Sequence, residues 1–143
     1  MSEFNFKSQI CTTREQSERL LALGLKKETA DMVHQPIGTT PFNVWDKHEI
    51  EGDFYPAWSL HKLLCILPKH IQVYYDEVWK FERNLYLSIN EDFNITYGEK
   101  IDETCFDKTF WAYDIYQNCI DAIEWLIKEG YFNKEYLVWR QDT

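Results

Sequence analysis

A long amphipathic helix is predicted by residues 110–132, which read FWAYDIYQNCIDAIEWLIKEGYF. Apolar side chains recur in this stretch at steps of three and four and so line one helical face, namely Tyr113, Tyr116, Ile120, Ile123 and Ile127. Thr109 or Asp107 is expected to cap the start of the helix, and Gly130 is placed to end it in the left-handed conformation. The pattern indicates a packing element rather than a catalytic one.

Two short helices are predicted near the amino terminus. Thr12 and Glu15 match a capping box, in which the hydroxyl accepts a backbone N–H and the carboxylate reaches back to the cap. The first helix is expected to run through about Leu23, because Gly24 can take the left-handed conformation that closes a helix. A second helix is predicted from Lys27 to about His34.

A long loop is predicted for residues 35–55, where prolines and glycines interrupt any sustained period. Order is expected to return at Ser59, a good N-cap for a helix whose buried stripe is Leu60, Leu63, Leu64 and Leu67. Pro68 is expected to end that helix, because the residue before a proline is disfavoured in the helical conformation.

Three strands are predicted in the middle of the chain. Residues 71–75 and 85–89 alternate apolar and polar side chains, and residues 95–97 suggest a third strand, whereas the pattern of residues 77–83 fits either a strand extension or a connection. Helices first, an antiparallel meander next and a helix last predict an α+β fold, in which a three-to-four-stranded antiparallel sheet packs against helices in two layers. A single domain is expected over residues 1–143.

Composition favours a soluble cytoplasmic protein. The 24 acidic and 15 basic residues give a net charge of −9, which repels nucleic acid unless lysine and arginine gather on one face, and no basic run exists to do so. The amino terminus lacks the features of a secretory signal, and no apolar run is long enough to span a membrane. The four cysteines form no C-x-x-C pair, so free thiols in a reducing compartment are expected.

No catalytic residue, cofactor site or metal site is predicted. The common nucleotide-binding, metalloprotease and serine hydrolase motifs are all missing from the sequence. His61 and Cys65 stand four apart on a predicted helix, but two ligands do not make a zinc site. Any cysteine could act as a nucleophile beside a histidine, yet buried and inert thiols are the common case.

An aromatic segment, residues 42–58, is the candidate binding surface. Its rings would form a contact site if they were exposed, with a histidine at the rim, and the candidate residues are Phe42, Trp45, Tyr55, Trp58 and His61. The alternative is that the rings fold back and cover the core. This second interpretation is favoured for the segment, because Pro56-Ala57-Trp58-Ser59 directly precedes a helix start, where a tryptophan commonly packs under the first turn.

A DNA-binding alternative arises in residues 13–33, whose pattern of helix, glycine-containing turn and second helix imitates a helix-turn-helix. Lys26 and Lys27 stand at the entrance of the predicted second helix. Glu28 and Asp31 follow where phosphate and base contacts would need donors, so a helical hairpin packed on the sheet is favoured.

Three segments carry a family resemblance, namely CTTREQSERLLALGL (11–25), YPAWSLHKLLCILP (55–68) and AIEWLIKEGYF (122–132). In that order they resemble a family of small bacterial proteins without an assigned activity, whose genes often lie near prophage or other mobile-element genes. The resemblance implies a bacterial and phage-related context, and it brings no catalytic residues.

The leading functional hypothesis is a non-enzymatic protein that binds another protein, with self-association through an aromatic patch as its simplest form. The alternative is a small-molecule binder or enzyme that uses the aromatic segment, with His48, His61 or His70 as a polar anchor. The helix-turn-helix hypothesis stands third.

Overall fold

The computed structural model describes residues 9–34, 42–43, 55–76, 81–99, 108–112 and 114–138 of the chain. The helices in these ranges are α1 (Arg14–Ala22), α2 (Leu60–Ile66) and α3 (Ile115–Glu129). The strands are β1 (Met32–His34), β2 (Phe42–Asn43), β3 (Tyr55–Ala57), β4 (His70–Asp76), β5 (Phe81–Ile89), β6 (Ile95–Gly98) and β7 (Lys108–Phe110). The predicted α+β class with a small antiparallel sheet is therefore confirmed. Within the described ranges, none of the helices has the length and apolar character needed to cross a membrane.

Helix α1 has the predicted capping box, but one residue later than expected. Thr13 is the N-cap, its hydroxyl accepts from the Gln16 N–H at 3.1 Å, and the Gln16 side chain accepts from the Thr13 N–H at 3.0 Å. Thr12 was the predicted cap, but it is fully buried and its hydroxyl lies 2.7 Å from the Ser17 hydroxyl. Two adjacent threonines offer the same local signal, and long-range contacts of Thr12 select Thr13 as the cap.

The predicted second helix from Lys27 to His34 is wrong. Residues Lys27–Thr29 form a single 3₁₀ turn, and Met32–His34 form strand β1. Strand β1 pairs antiparallel with β3, with Val33 opposite Pro56 and His34 opposite Tyr55. The Asp31 carboxylate also accepts from the Ser59 N–H at 2.8 Å, which ties this segment to the start of α2. These distant partners override a weak local helical pattern.

A small three-stranded sheet has the order β2-β1-β3. It includes Phe42–Asn43 and Tyr55 from the predicted loop, so the loop prediction is wrong at these three residues. The remaining loop positions lie outside the described residues.

The predicted meander is confirmed as a four-stranded antiparallel sheet of order β4-β5-β6-β7. Ile71 lies opposite Leu85, and Leu87 lies opposite Tyr97. These side chains point to the covered face, whereas His70, Asn84 and other exposed residues alternate with them on the open face. Helix α2 begins at the predicted N-cap, since the Ser59 hydroxyl accepts from the Lys62 N–H at 3.1 Å.

Helix α3 begins later than predicted. Its N-cap is Asp114, whose carboxylate accepts from the Tyr116 N–H at 3.1 Å, so the expected caps Thr109 and Asp107 were wrong. Residues Lys108–Phe110 instead form β7, which pairs with β6. The predicted end is confirmed, because Gly130 has φ of +83° and its N–H donates to the Ile127 carbonyl.

The main core lies between α3, the other helices and the covered face of the four-stranded sheet. Ile120, Ile123 and Leu126 of α3 are fully buried there. Half-buried Trp125 forms the centre of an aromatic group, with ring centroids 5.7–6.1 Å from those of Tyr97, Phe110 and Tyr131. Arg19 of α1 forms ion pairs with Asp121 and Glu124 of α3.

Candidate functional site

Trp58 is a core residue and not part of an exposed binding surface. Its indole N–H donates to the Thr29 hydroxyl at 2.8 Å, and its backbone N–H donates to the Thr12 hydroxyl at 3.0 Å. The Thr12 N–H in turn donates to the Trp58 carbonyl at 2.8 Å. The ring is fully buried, as the folded-back interpretation predicts, and its one polar atom is satisfied.

The other residues of the candidate aromatic surface do not gather around Trp58. Tyr55 is half-buried, and the Arg14 guanidinium lies 5.3 Å from its ring centroid. His61 is exposed on α2, with its Nε2 3.5 Å from the Cys65 sulfur. Phe42 belongs to β2, whereas Trp45 lies outside the described residues, as does His48.

Cys11 and His34 form a second, part-buried cysteine–histidine contact, with 3.9 Å between Sγ and Nε2. The same Nε2 lies 2.8 Å from the Thr12 carbonyl oxygen, which only accepts hydrogen bonds, so Nε2 carries the proton in this contact. A protonated Nε2 cannot take the thiol proton. Burial, followed by the charge of Asp31, raises the pKa of Cys11 to about 11, which keeps the thiol protonated at neutral pH.

Of the remaining described cysteines, Cys119 is buried and Cys65 is exposed. Burial, followed by the charge of Asp114, raises the pKa of the Cys119 thiol to about 12. Cys65 is exposed beside His61, but no group of three or more histidine, cysteine, aspartate or glutamate side chains among the described residues is placed to hold a metal ion. Cys105 lies outside those residues.

The recognition helix that the helix-turn-helix hypothesis requires is not formed. The segment that would have entered a DNA groove is the 3₁₀ turn and strand β1 described above. Strand β1 is paired on both sides, by β2 and by β3, and Met32 and Val33 are buried. A strand held inside a sheet cannot enter a major groove in the way a helix does.

Among the described residues, the two most exposed large apolar side chains lie instead at one end of the four-stranded sheet. Trp111 is 80% exposed directly after β7, and Phe93 is 60% exposed in the turn between β5 and β6. We call these two residues the aromatic tip. Ile89, which ends β5 near the same end of the sheet, is 41% exposed.

The backbone of the aromatic tip is held by one buried side chain. Asn118 of α3 is fully buried, and its Nδ2 donates to the Phe93 carbonyl at 2.9 Å and to the Ala112 carbonyl at 3.2 Å. Its Oδ1 accepts from the Ala112 N–H at 2.6 Å. The amide thus joins the turn that carries Phe93 to the segment that carries Trp111. Both its NH₂ group and its oxygen are hydrogen-bonded.

The turn that carries Phe93 is unusual for a bulky residue. Asn90 organises it, since its side-chain oxygen accepts from the N–H groups of Asp92 at 2.9 Å and Asn94 at 3.0 Å. Phe93 then has φ of +65°, and it is the only non-glycine residue with positive φ in the described part of the chain. An L-residue with a large side chain in this conformation costs about 1–2 kcal/mol.

Two features of the sequence set the residues of the aromatic tip apart, although periodicity does not identify them. Phe93 is a lone aromatic residue inside the polar turn NEDFN, and Trp111 does not belong to the apolar stripe of α3. Neither signal shows exposure by itself. Comparisons of the chain with family models, curated proteins and solved structures find no match. Function is therefore inferred from exposure, hydrogen bonding and charge.

Proposed function

We propose that this chain functions by binding another protein through the aromatic tip. The observation that carries the proposal is Trp111, whose ring is 80% exposed while the backbone beside it is fixed by buried Asn118. Tryptophan is the residue type most enriched among the energetic centres of protein interfaces. A ring that is displayed from an ordered backbone loses less conformational freedom on binding than one on an unconstrained loop.

Backbone strain at Phe93 supports the same conclusion. Glycine or asparagine suits the left-handed position of a turn, whereas phenylalanine destabilises it and exposes its ring to water. Strain that the fold does not need is typical of residues retained for a contact. Phe93 and Trp111 would both contribute to an interface, since one amide group connects their backbones.

Charge next to the aromatic tip favours a basic partner surface. Glu91 and Asp92 are exposed immediately before Phe93, and the whole chain carries a net charge of −9. Complementary charge around an apolar centre speeds association and selects among partners. The acidic rim repels phosphate backbones and disfavours a symmetric contact between two tips, so a different protein with lysine or arginine around an apolar pocket is the favoured partner.

Site-specific photo-crosslinking tests the proposal. A photoreactive residue in place of Asp92, exposed beside Phe93, is expected to capture a protein partner from bacterial cells. The same residue in place of Gln72, exposed on β4, is the matched position away from the tip. The resemblance to mobile-element-associated proteins makes phage-infected bacteria the first cells to use.

The Trp111→Ser variant separates a specific contact from chance capture. Crosslinking at position 92 should disappear in this variant if the exposed ring is the anchor, while a circular dichroism melt confirms that the fold remains. Equal capture at positions 72 and 92, or capture unchanged by Trp111→Ser, would contradict the proposal. Sedimentation equilibrium of the purified chain checks self-association, which should give a monomer at micromolar concentration.

A further inference from the structure

A groove of about 520 Å³ lies near the carboxyl end of α3, whereas the turn that carries Phe93 contacts Asn118 near its amino end. In this groove the carboxyl end of α1 meets the last described segment of the chain. The described residues that line it are Leu23, Gly24, Lys26, Ile127, Lys134, Leu137 and Val138. Its volume falls within the range of small-molecule sites, which are mostly apolar and carry a few polar groups.

The walls of this groove are fixed by backbone hydrogen bonds. The Lys26 N–H donates to the Tyr136 carbonyl at 2.8 Å, and the Val138 N–H donates to the Gly24 carbonyl at 2.6 Å. Leu25 and Leu137 form an antiparallel bridge between these two bonds. Asn133 caps the 3₁₀ turn Lys134–Tyr136 by accepting from the Glu135 N–H. The groove is thus built from paired backbone on one side and from α3 on the other.

The apolar surface of the groove is only partly covered. Leu23, Ile127 and Leu137 are half-buried, and Val138 is 51% exposed. Half-buried aliphatic side chains that meet in one concavity leave apolar area in water, and a ligand with an aliphatic portion would remove that area from water.

Charge in the groove is opposite to the charge of the chain. Lys26 and Lys134 both line it, and none of its described lining residues is acidic. Neither ammonium group takes part in an ion pair among the described residues. A protein with a net charge of −9 repels anions in general, so two lysines without an ion-pair partner in the described ranges, beside one apolar concavity, select for a small anion with an apolar body.

We propose that this groove binds an unbranched aliphatic monocarboxylate, with its chain against Leu23, Ile127 and Leu137 and its carboxylate paired with Lys26 and Lys134. Free medium-chain acid is the class that fits, because Lys26 and Lys134 line one concavity and the other described side chains that line it are aliphatic. The groove shares no described lining residue with the aromatic tip, so the ligand proposal does not depend on the proposed protein partner.

Titration of the full chain with octanoate and decanoate, each below its micelle-forming concentration, tests the proposal by calorimetry and by amide chemical shifts. Affinity should increase with each methylene by up to about fourfold, since that is the value of a fully buried methylene. The largest shift changes should fall on the amides of Gly24, Lys26 and Val138. Octanol and octyltrimethylammonium, which share the tail and lack the negative charge, should bind more weakly.

Charge-removing variants complete the test. The double variant Lys26→Gln with Lys134→Gln should bind decanoate roughly tenfold more weakly, because two partly exposed ion pairs are lost. The matched double variant Lys62→Gln with Lys69→Gln, on and beside α2, should bind it unchanged. Val138→Asp should weaken binding by adding a like charge at an exposed wall.

Equal binding of octanoate and octyltrimethylammonium would overturn the proposal, as would shift changes elsewhere in the molecule or no binding at all. Trp111→Ser should leave decanoate affinity unchanged, so a failure of the protein-partner proposal would be seen separately from a failure of this one.

Discussion

Trp58 and Trp111 differ in exposure, although buried polar side chains form hydrogen bonds at or beside each of them. Around Trp58, the buried Thr12 and Thr29 hydroxyls bind the backbone and the indole nitrogen, and the ring is fully buried. Around Trp111, buried Asn118 binds only backbone groups, and the ring is 80% exposed. The difference shows that a buried polar side chain can serve either to satisfy a core aromatic residue or to display one.

Trp58 and Trp111 also differ in how much each ring contributes to the stability of the fold. Removing the ring of Trp58 removes buried apolar area and leaves the Thr29 hydroxyl without its donor, whereas removing the ring of Trp111 exposes almost no new surface. An exposed aromatic ring that contributes little to folding is the kind of residue that contributes to contacts with other molecules.

The largest expected effect is that of Trp58→Ala. We expect a loss of about 3–5 kcal/mol of unfolding free energy, because a large buried side chain leaves a cavity. Trp111→Ala is the matched variant, and it should change that free energy by less than about 0.5 kcal/mol. Urea unfolding followed by circular dichroism measures both. A comparable loss for the two variants would mean that Trp111 is also a structural residue.

The second effect concerns the amide that holds the aromatic tip. Asn118→Asp keeps the acceptor for the Ala112 N–H but removes the donor to the carbonyls of Phe93 and Ala112. We expect a loss of roughly 2–4 kcal/mol, because two partly buried carbonyls lose their donor and the new side chain at this fully buried position is charged when ionised.

Asn133→Asp is the control for that variant, since it makes the same chemical change at an exposed N-cap where aspartate caps equally well. Its thermal midpoint should stay close to that of the natural chain. If Asn118→Asp were as harmless as Asn133→Asp, the buried amide would not be what holds the turn to the segment after β7.

The smallest expected effect is a difference in unfolding free energy between two variants of Phe93. Phe93→Gly and Phe93→Ala both remove the exposed ring, but only glycine takes the left-handed conformation at φ of +65° without strain. Phe93→Gly should therefore be more stable than Phe93→Ala by about 1 kcal/mol, measured by chemical unfolding. Partner crosslinking from position 92 should decrease in both variants. An alanine variant as stable as the glycine variant would show that the turn is not strained.

Much of the fold could be predicted because the relevant signals are local. Ser59 and the leucines after it determine α2, alternating side chains determine β5, and Gly130 ends α3. The strands that were missed are β1, β2, β3 and β7, each of two or three residues, which are too short to show a period. These strands exist because a partner strand lies beside each of them, and no local pattern contains that information.

The position of the candidate site could not be predicted from the sequence. Abundant aromatic residues and the missing motifs indicated a binding protein, but the candidate surface was placed on residues that include Trp58, which is buried. Trp58 and Trp111 each stand before or after a strand or helix, so neighbours in sequence do not distinguish them. Distant residues do, since Thr12, Thr29 and Asn118 determine which ring is covered.

Short-range patterns in the amino-acid sequence therefore establish the class of fold, the long helix and the meander, because periodicity and capping act over a few neighbouring residues. Long-range contacts establish the second sheet, the late start of α3, the strained conformation of Phe93 and the exposure of Trp111. Those features depend on which distant groups complete a buried hydrogen bond or cover an apolar surface, and such pairings arise only when the chain has folded.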